Sequence, residues 1–197
     1  MEDAQRTRVG IVGLIAGLAI FTAGFMAVHF IGLPETDSIG RDLYPFVPRG
    51  WQWDIGAKIV ALIGSQIMVA AVVFGWLFDR TLTWARASVG AMIFTMEIIV
   101  WLGIVPNEWL GLAQGEFAWT SQKVAFTLPS WLVLNNGISI SYGAIKDIVS
   151  GTYAAGVLGA VLVGMYKYQE WDKTRGEAKP LPLSDYGRPV VKEGSSG

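Results

Sequence analysis

Four long apolar runs constrain this chain more than any other feature. Val9–Leu33 carries only Thr22 and His29 as polar side chains, and Ile55–Phe78 only Lys58, Ser65 and Gln66. Ala85–Val105 carries Arg86, Ser88, Thr95 and Glu97, and Ile148–Tyr166 is equally apolar around Ser150 and Thr152. A hydrocarbon layer of about 30 Å takes roughly 20 helical residues. The chain therefore reads as an all-α integral membrane protein, a four-transmembrane-helix bundle with spans 9–33, 55–78, 85–105 and 148–166. The first run is far longer than the 7–15 apolar residues of a secretory signal, so it is read as an uncleaved helix.

The residue inventory narrows function by exclusion. Charged residues are 16% of the chain, against about 25% in soluble domains. With no Cys and one His, thiolate metal sites, iron–sulfur clusters and covalent haem are excluded, and haem is not expected within this chain. A net charge of -1 gives no reason to expect nucleic acid as a partner. No phosphate-binding loop, dinucleotide fingerprint, HExxH or GxSxG motif is present, so no catalytic activity by this chain alone and no bound metal are expected.

Charge placement sets the expected orientation. Residues 1–8 form an N-terminal tail, 9–166 the membrane domain, and 167–197 a C-terminal tail. An even number of spans puts both tails and the short 79–84 link on one side. That side holds ten Lys and Arg residues and the opposite side five, so both termini are expected in the cytoplasm, with the protein in the plasma (inner) membrane. The outer loops are then 34–54 and 106–147. They are rich in rings such as Trp51, Trp53, Trp109, Phe117, Trp119 and Tyr142. Rings of this kind favour the membrane–water boundary and imply ordered structure there.

Two pieces of the long outer loop are individually readable. Pro106 suits the first turn of a short interfacial helix through Gly111. Asn136-Gly137, flanked by Trp131–Leu134 and Ile138–Ile140, suits a tight type I′ hairpin, and Gln122–Leu128 suits a further strand.

Ionisable groups within spans are functional candidates, because charge is costly in hydrocarbon. Antiparallel threading puts His29, Lys58, Glu97 and Asp147 in the outer half of the bundle, where they are candidates for proton or quinone contact. Lys58 is placed either to snorkel outward or to reach inward towards Glu97. Small residues at four-residue spacing mark helix packing: Gly13 and Gly17 on the first span, and two stripes on the fourth, Gly151, Ala155, Gly159 and Gly156, Ala160, Gly164. Two stripes on one helix imply contact on two sides, one of them with a foreign helix. The proline-bearing tail cannot continue as helix and reads either as a disordered end or as an extended arm that docks on a cytoplasmic neighbour through Tyr186, Val190 and Val191.

These features fit an accessory or scaffolding subunit of a multi-subunit membrane complex. A respiratory or other electron-transfer assembly is the expected setting. Its partners would be other membrane subunits and lipid, and no cofactor would be bound covalently. The alternative is a small proton-coupled transporter, acting as an oligomer with Glu97 as proton carrier.

Overall fold

A computed structural model describes residues 3–78, 80, 83–134 and 136–176. The chain separates into two compact units, Met1–Lys146 and Asp147–Gly197. The elements run α1 (Asp3–Ile31), α2 (Trp51–Val72), α3 (Trp84–Ile99), α4 (Val105–Gln114), β1 (Val124–Leu128), β2 (Ile138–Ser141) and α5 (Tyr142–Gly176). Four helical stretches, Asp3–Ile31, Trp51–Leu77, Trp84–Gln114 and Tyr142–Glu170, are long and apolar enough to cross a membrane.

Within the first unit, α1 packs on α2 along a seam of small residues. Gly10, Gly17 and Gly24 are the buried residues of α1, and Ala57, Gly64 and Ala71 are those of α2. Both sets repeat every seven residues, so each returns to the same helix face after two turns. Antiparallel threading matches them in reverse. Gly10 lies against Ala71 and Gly75, Gly17 against Gly64 and Met68, and Gly24 against Ala57 and Ala61. A Cβ on Gly17 would stand 2.8 Å from the Met68 backbone nitrogen. The backbones meet so closely because no side chain intervenes, which maximises dispersion contact where water supplies no driving force. Gly13 borders the seam, its own Cβ position lying 3.0 Å from the Ala71 Cβ. The expected Gly13/Gly17 pair is thus part of a longer seven-residue pattern.

The third apolar stretch is longer than expected. Pro106 stands in the first turn of a short helix, α4, as expected, but that helix does not start from a loop. Instead α3 runs into α4 through a wide π-helical turn, Val100–Ile104, in which the Val105 N–H donates to the Val100 carbonyl. A proline has no N–H and its ring crowds the carbonyl four residues back. The extra residue in this turn admits it without ending the helix. A similar wide turn, Val73–Leu77, closes α2.

The hairpin also differs from its expected form. β1 and β2 pair antiparallel, with Phe126 opposite Ile140 and Leu128 opposite Ile138. The first strand is therefore the Gln122–Leu128 segment, not Trp131–Leu134. Pro129 ends β1, and Ser130–Leu132 is a single 3₁₀ turn. Gly137 does not take the left-handed φ that a type I′ turn requires. Asn135 lies outside the described residues, as do the tail anchors Tyr186, Val190 and Val191. The fourth helix extends beyond Tyr166 to Gly176.

Candidate functional site

The polar groups of the first unit gather at two levels along α2. The upper level lies near the end where α1 finishes, α2 begins and α4 finishes. Here the Lys58 Nζ donates to Glu108 Oε2 at 2.6 Å and pairs with Asp54 Oδ2 at 2.9 Å. Asp54 and Lys58 sit one turn apart on α2, an acid-before-base order that favours the pair along a helix. Glu108 reaches the same ammonium from the first turn of α4. Lys58 remains about a third exposed.

The lower level is centred on Glu97. Its Oε1 accepts from Gln66 Nε2 at 3.2 Å and its Oε2 from Trp101 Nε1 at 2.8 Å. Trp101 is one turn further along, where the helix enters its π-turn. Gln66 comes from α2. Among the described residues no cation is bonded to Glu97. Glu108 lies eleven helical positions beyond Glu97, a rise of roughly 16 Å.

Within the first unit, Lys58 and Glu97 therefore belong to separate polar clusters. Lys58 does not reach inward to Glu97; it is held by Asp54 and Glu108, the nearer carboxylates on the adjoining turns. His29 is exposed on α1, with its ring edge-on to Phe30 at 5.7 Å between centroids. Asp147 belongs to the second unit. Among the described residues no group of His, Asp or Glu is placed to hold a metal ion.

An aromatic cluster frames the upper level. Trp51 stands edge-on to Phe117 at 5.4 Å, Phe117 lies beside Trp119, and Trp119 meets both Trp109 and Tyr142. Edge-on rings gain contact beyond their buried area. The cluster ties the start of α2 to α4 and to the strand that precedes Tyr142, giving the aromatic loop the ordered structure expected of it.

Arg49 was not singled out from the sequence, yet it organises the loop between α1 and α2. Its Nη1 donates to the carbonyls of Phe30, Ile31 and Leu33 at 3.2, 2.8 and 2.6 Å, and its Nη2 to that of Leu43 at 3.3 Å. The last carbonyls of a helix lack partners and carry partial negative charge. A guanidinium satisfies several of them at once. Gly50 follows with φ +110°, which turns the chain directly into α2. In the same loop, the Asp37 carboxylate accepts from the backbone N–H of Ile39 and Arg41 and from Arg41 Nε, each at 2.9 Å. These bonds, the Arg41 backbone N–H foremost, hold its pKa below the ordinary aspartate value.

At the opposite end, Arg80 binds Asp3 Oδ2 at 2.7 Å, joining the start of α1 to the link between α2 and α3. The Thr83 side chain caps α3 by accepting from the Arg86 N–H.

Comparison with protein families, with curated proteins and with solved structures finds no match for this chain.

Proposed function

We propose that this chain is an integral-membrane accessory subunit that contributes helices to a larger assembly, with both termini in the cytoplasm. One observation carries the reading. Among the described residues, the buried hydrophobics are only Ala57, Ala71 and Ala113, while Val12, Ile15 and Phe25 on α1 are each more than 60% exposed. Apolar surface on this scale needs lipid or protein against it. The polar groups support a structural role. Glu97 joins α3 to α2 through Gln66, and Lys58 joins α2 to α4 through Glu108; each bond fixes a helix neighbour. The aromatic cluster and the hairpin present a built surface at one end, suited to a partner subunit. A respiratory or other electron-transfer assembly remains the proposed setting, with redox centres supplied by neighbouring chains.

The test is purification from the native membrane in mild detergent, followed by mass spectrometry and an absorption spectrum. Co-purifying redox subunits and haem or flavin bands are the expected result.

The second reading is an oligomeric proton-coupled transporter. It is favoured by Glu97, a carboxyl deep in a span with neutral donors at both oxygens. Such a group can take up and release a proton without breaking an ion pair. On this reading Glu97→Gln abolishes proton-coupled flux in vesicles while the helices stay folded; unchanged flux removes it.

A further inference from the structure

Two cavities meet at Lys58 and Glu108. One is a polar cleft of 440 Å³, bounded by Trp51, Asp54 and Glu116 and by the backbone of Gly32, Gly50 and Gly111. The other is an apolar slot of 230 Å³ between α2 and α4, lined by Ile59, Leu62, Ile104 and Trp109. Ile55, Lys58, Glu108 and Leu112 line both. A ligand that fills both needs a polar head and an apolar chain, joined where the pair stands.

The charges select the head. Asp54 and Glu108 pair with the Lys58 ammonium and Glu116 also lines the cleft, so the lining holds three carboxylates for one ammonium, a formal excess of two negative charges. An anionic head is repelled. A head that pairs an ammonium with a phosphate fits: its N–H groups satisfy the surplus carboxylates, and its phosphate takes a donor of Lys58. A quaternary ammonium offers no N–H donor and matches the carboxylates less well. We infer that the two cavities together bind one phospholipid with a primary-amine head group, its head in the cleft and an acyl chain in the slot. The site rests on the membrane reading above and gives its lipid contact a place and a chemistry. The bound lipid fills the gap between α2 and α4, bracing the surface that a partner would meet.

The experiment uses the full chain in nanodiscs of phosphatidylethanolamine, phosphatidylcholine and phosphatidylglycerol in equal amounts. The protein is then released into mild detergent, and its retained lipid is read by native mass spectrometry. Phosphatidylethanolamine should be retained about tenfold over either competitor, the ratio expected for one charge-assisted hydrogen bond at the weak end of its range. Glu116→Gln, an exposed change that leaves the helices intact, should lower that preference. Ile104→Trp should fill the slot and remove retention of all three lipids, with the helical circular dichroism unchanged. Leu62→Trp serves as a second blocking variant should Ile104→Trp fail to fold. Equal retention, a preference for phosphatidylglycerol, a retained quinone in place of phospholipid, or no effect of Glu116→Gln would each overturn the lipid site while leaving the membrane reading intact. Failure of the chain to enter nanodiscs would overturn both.

Discussion

Lys58 and Glu108 stand fifty residues apart in the chain, yet the ammonium donates to the carboxylate at 2.6 Å. This bond joins α4 to α2 and lines both the cleft and the slot. Both side chains keep a third or more of their surface exposed, so the pair is worth far less than a fully buried one. A double-mutant cycle of Lys58→Met and Glu108→Gln in detergent should give a coupling of about 0.5–1 kcal/mol. Zero coupling would mean that the pair does not hold the helices.

The glycine seam predicts a sharp contrast between a glycine in the seam and one outside it. Gly17→Leu places a side chain against the Met68 backbone and should cost about 2–4 kcal/mol by forcing α1 from α2. Gly56→Ala, where nothing stands within 4 Å, should instead be neutral or stabilise by up to about 1 kcal/mol through helix propensity. Thermal melts of the two variants in one detergent check this directly. Equal melting temperatures would contradict the seam.

Arg49 closes the end of α1 through three carbonyls. Arg49→Ala should cost about 1.5–3 kcal/mol locally, because the carbonyls lose a charged donor. Hydrogen exchange should rise in residues 32–50 and in the last turn of α1, with the α1–α2 seam still protected. Arg49→Lys should recover part of the protection, since an ammonium lacks the guanidinium fork.

Acid should loosen the same loop. The Asp37 carboxylate has a lowered pKa in the folded chain, so the unfolded loop binds the proton more tightly. Its stabilising effect is fully present above the ordinary value of 3.8 and is lost as pH falls through the lowered one. Asp37→Asn should remove this acid sensitivity. Exchange rates in residues 37–43 that do not change below pH 4, or that change equally in the variant, would oppose it.

The apolar runs made the spanning helices legible, since hydropathy over twenty residues outweighs local detail. Tertiary pairings were less so. Lys58 was weighed against Glu97 because both lie in outer halves of spans, but the acids on the adjoining turns, Asp54 and Glu108, are nearer. Pro106 suggested a helix start, and only the i→i−5 bond at Val105 shows how the helix absorbs it. The Asn136-Gly137 pair suggested a tight turn, whereas the strand register is set by Val124–Leu128 across a longer connection. The seven-residue repeats Gly10/Gly17/Gly24 and Ala57/Gly64/Ala71 were present in the sequence all along. Four-residue spacing shows only the edge of that pattern, at Gly13 and Gly17. Arg49 left no sequence signal, because capping by a distant guanidinium depends on how the loop folds back.

The central claim is that the exposed apolar helices are completed by other subunits. Native purification in mild detergent, with mass spectrometry of the intact particle, tests it most directly. The account predicts a stable hetero-oligomer in which this chain is present with redox subunits. A particle containing only this chain, as a monomer or homodimer, would contradict it.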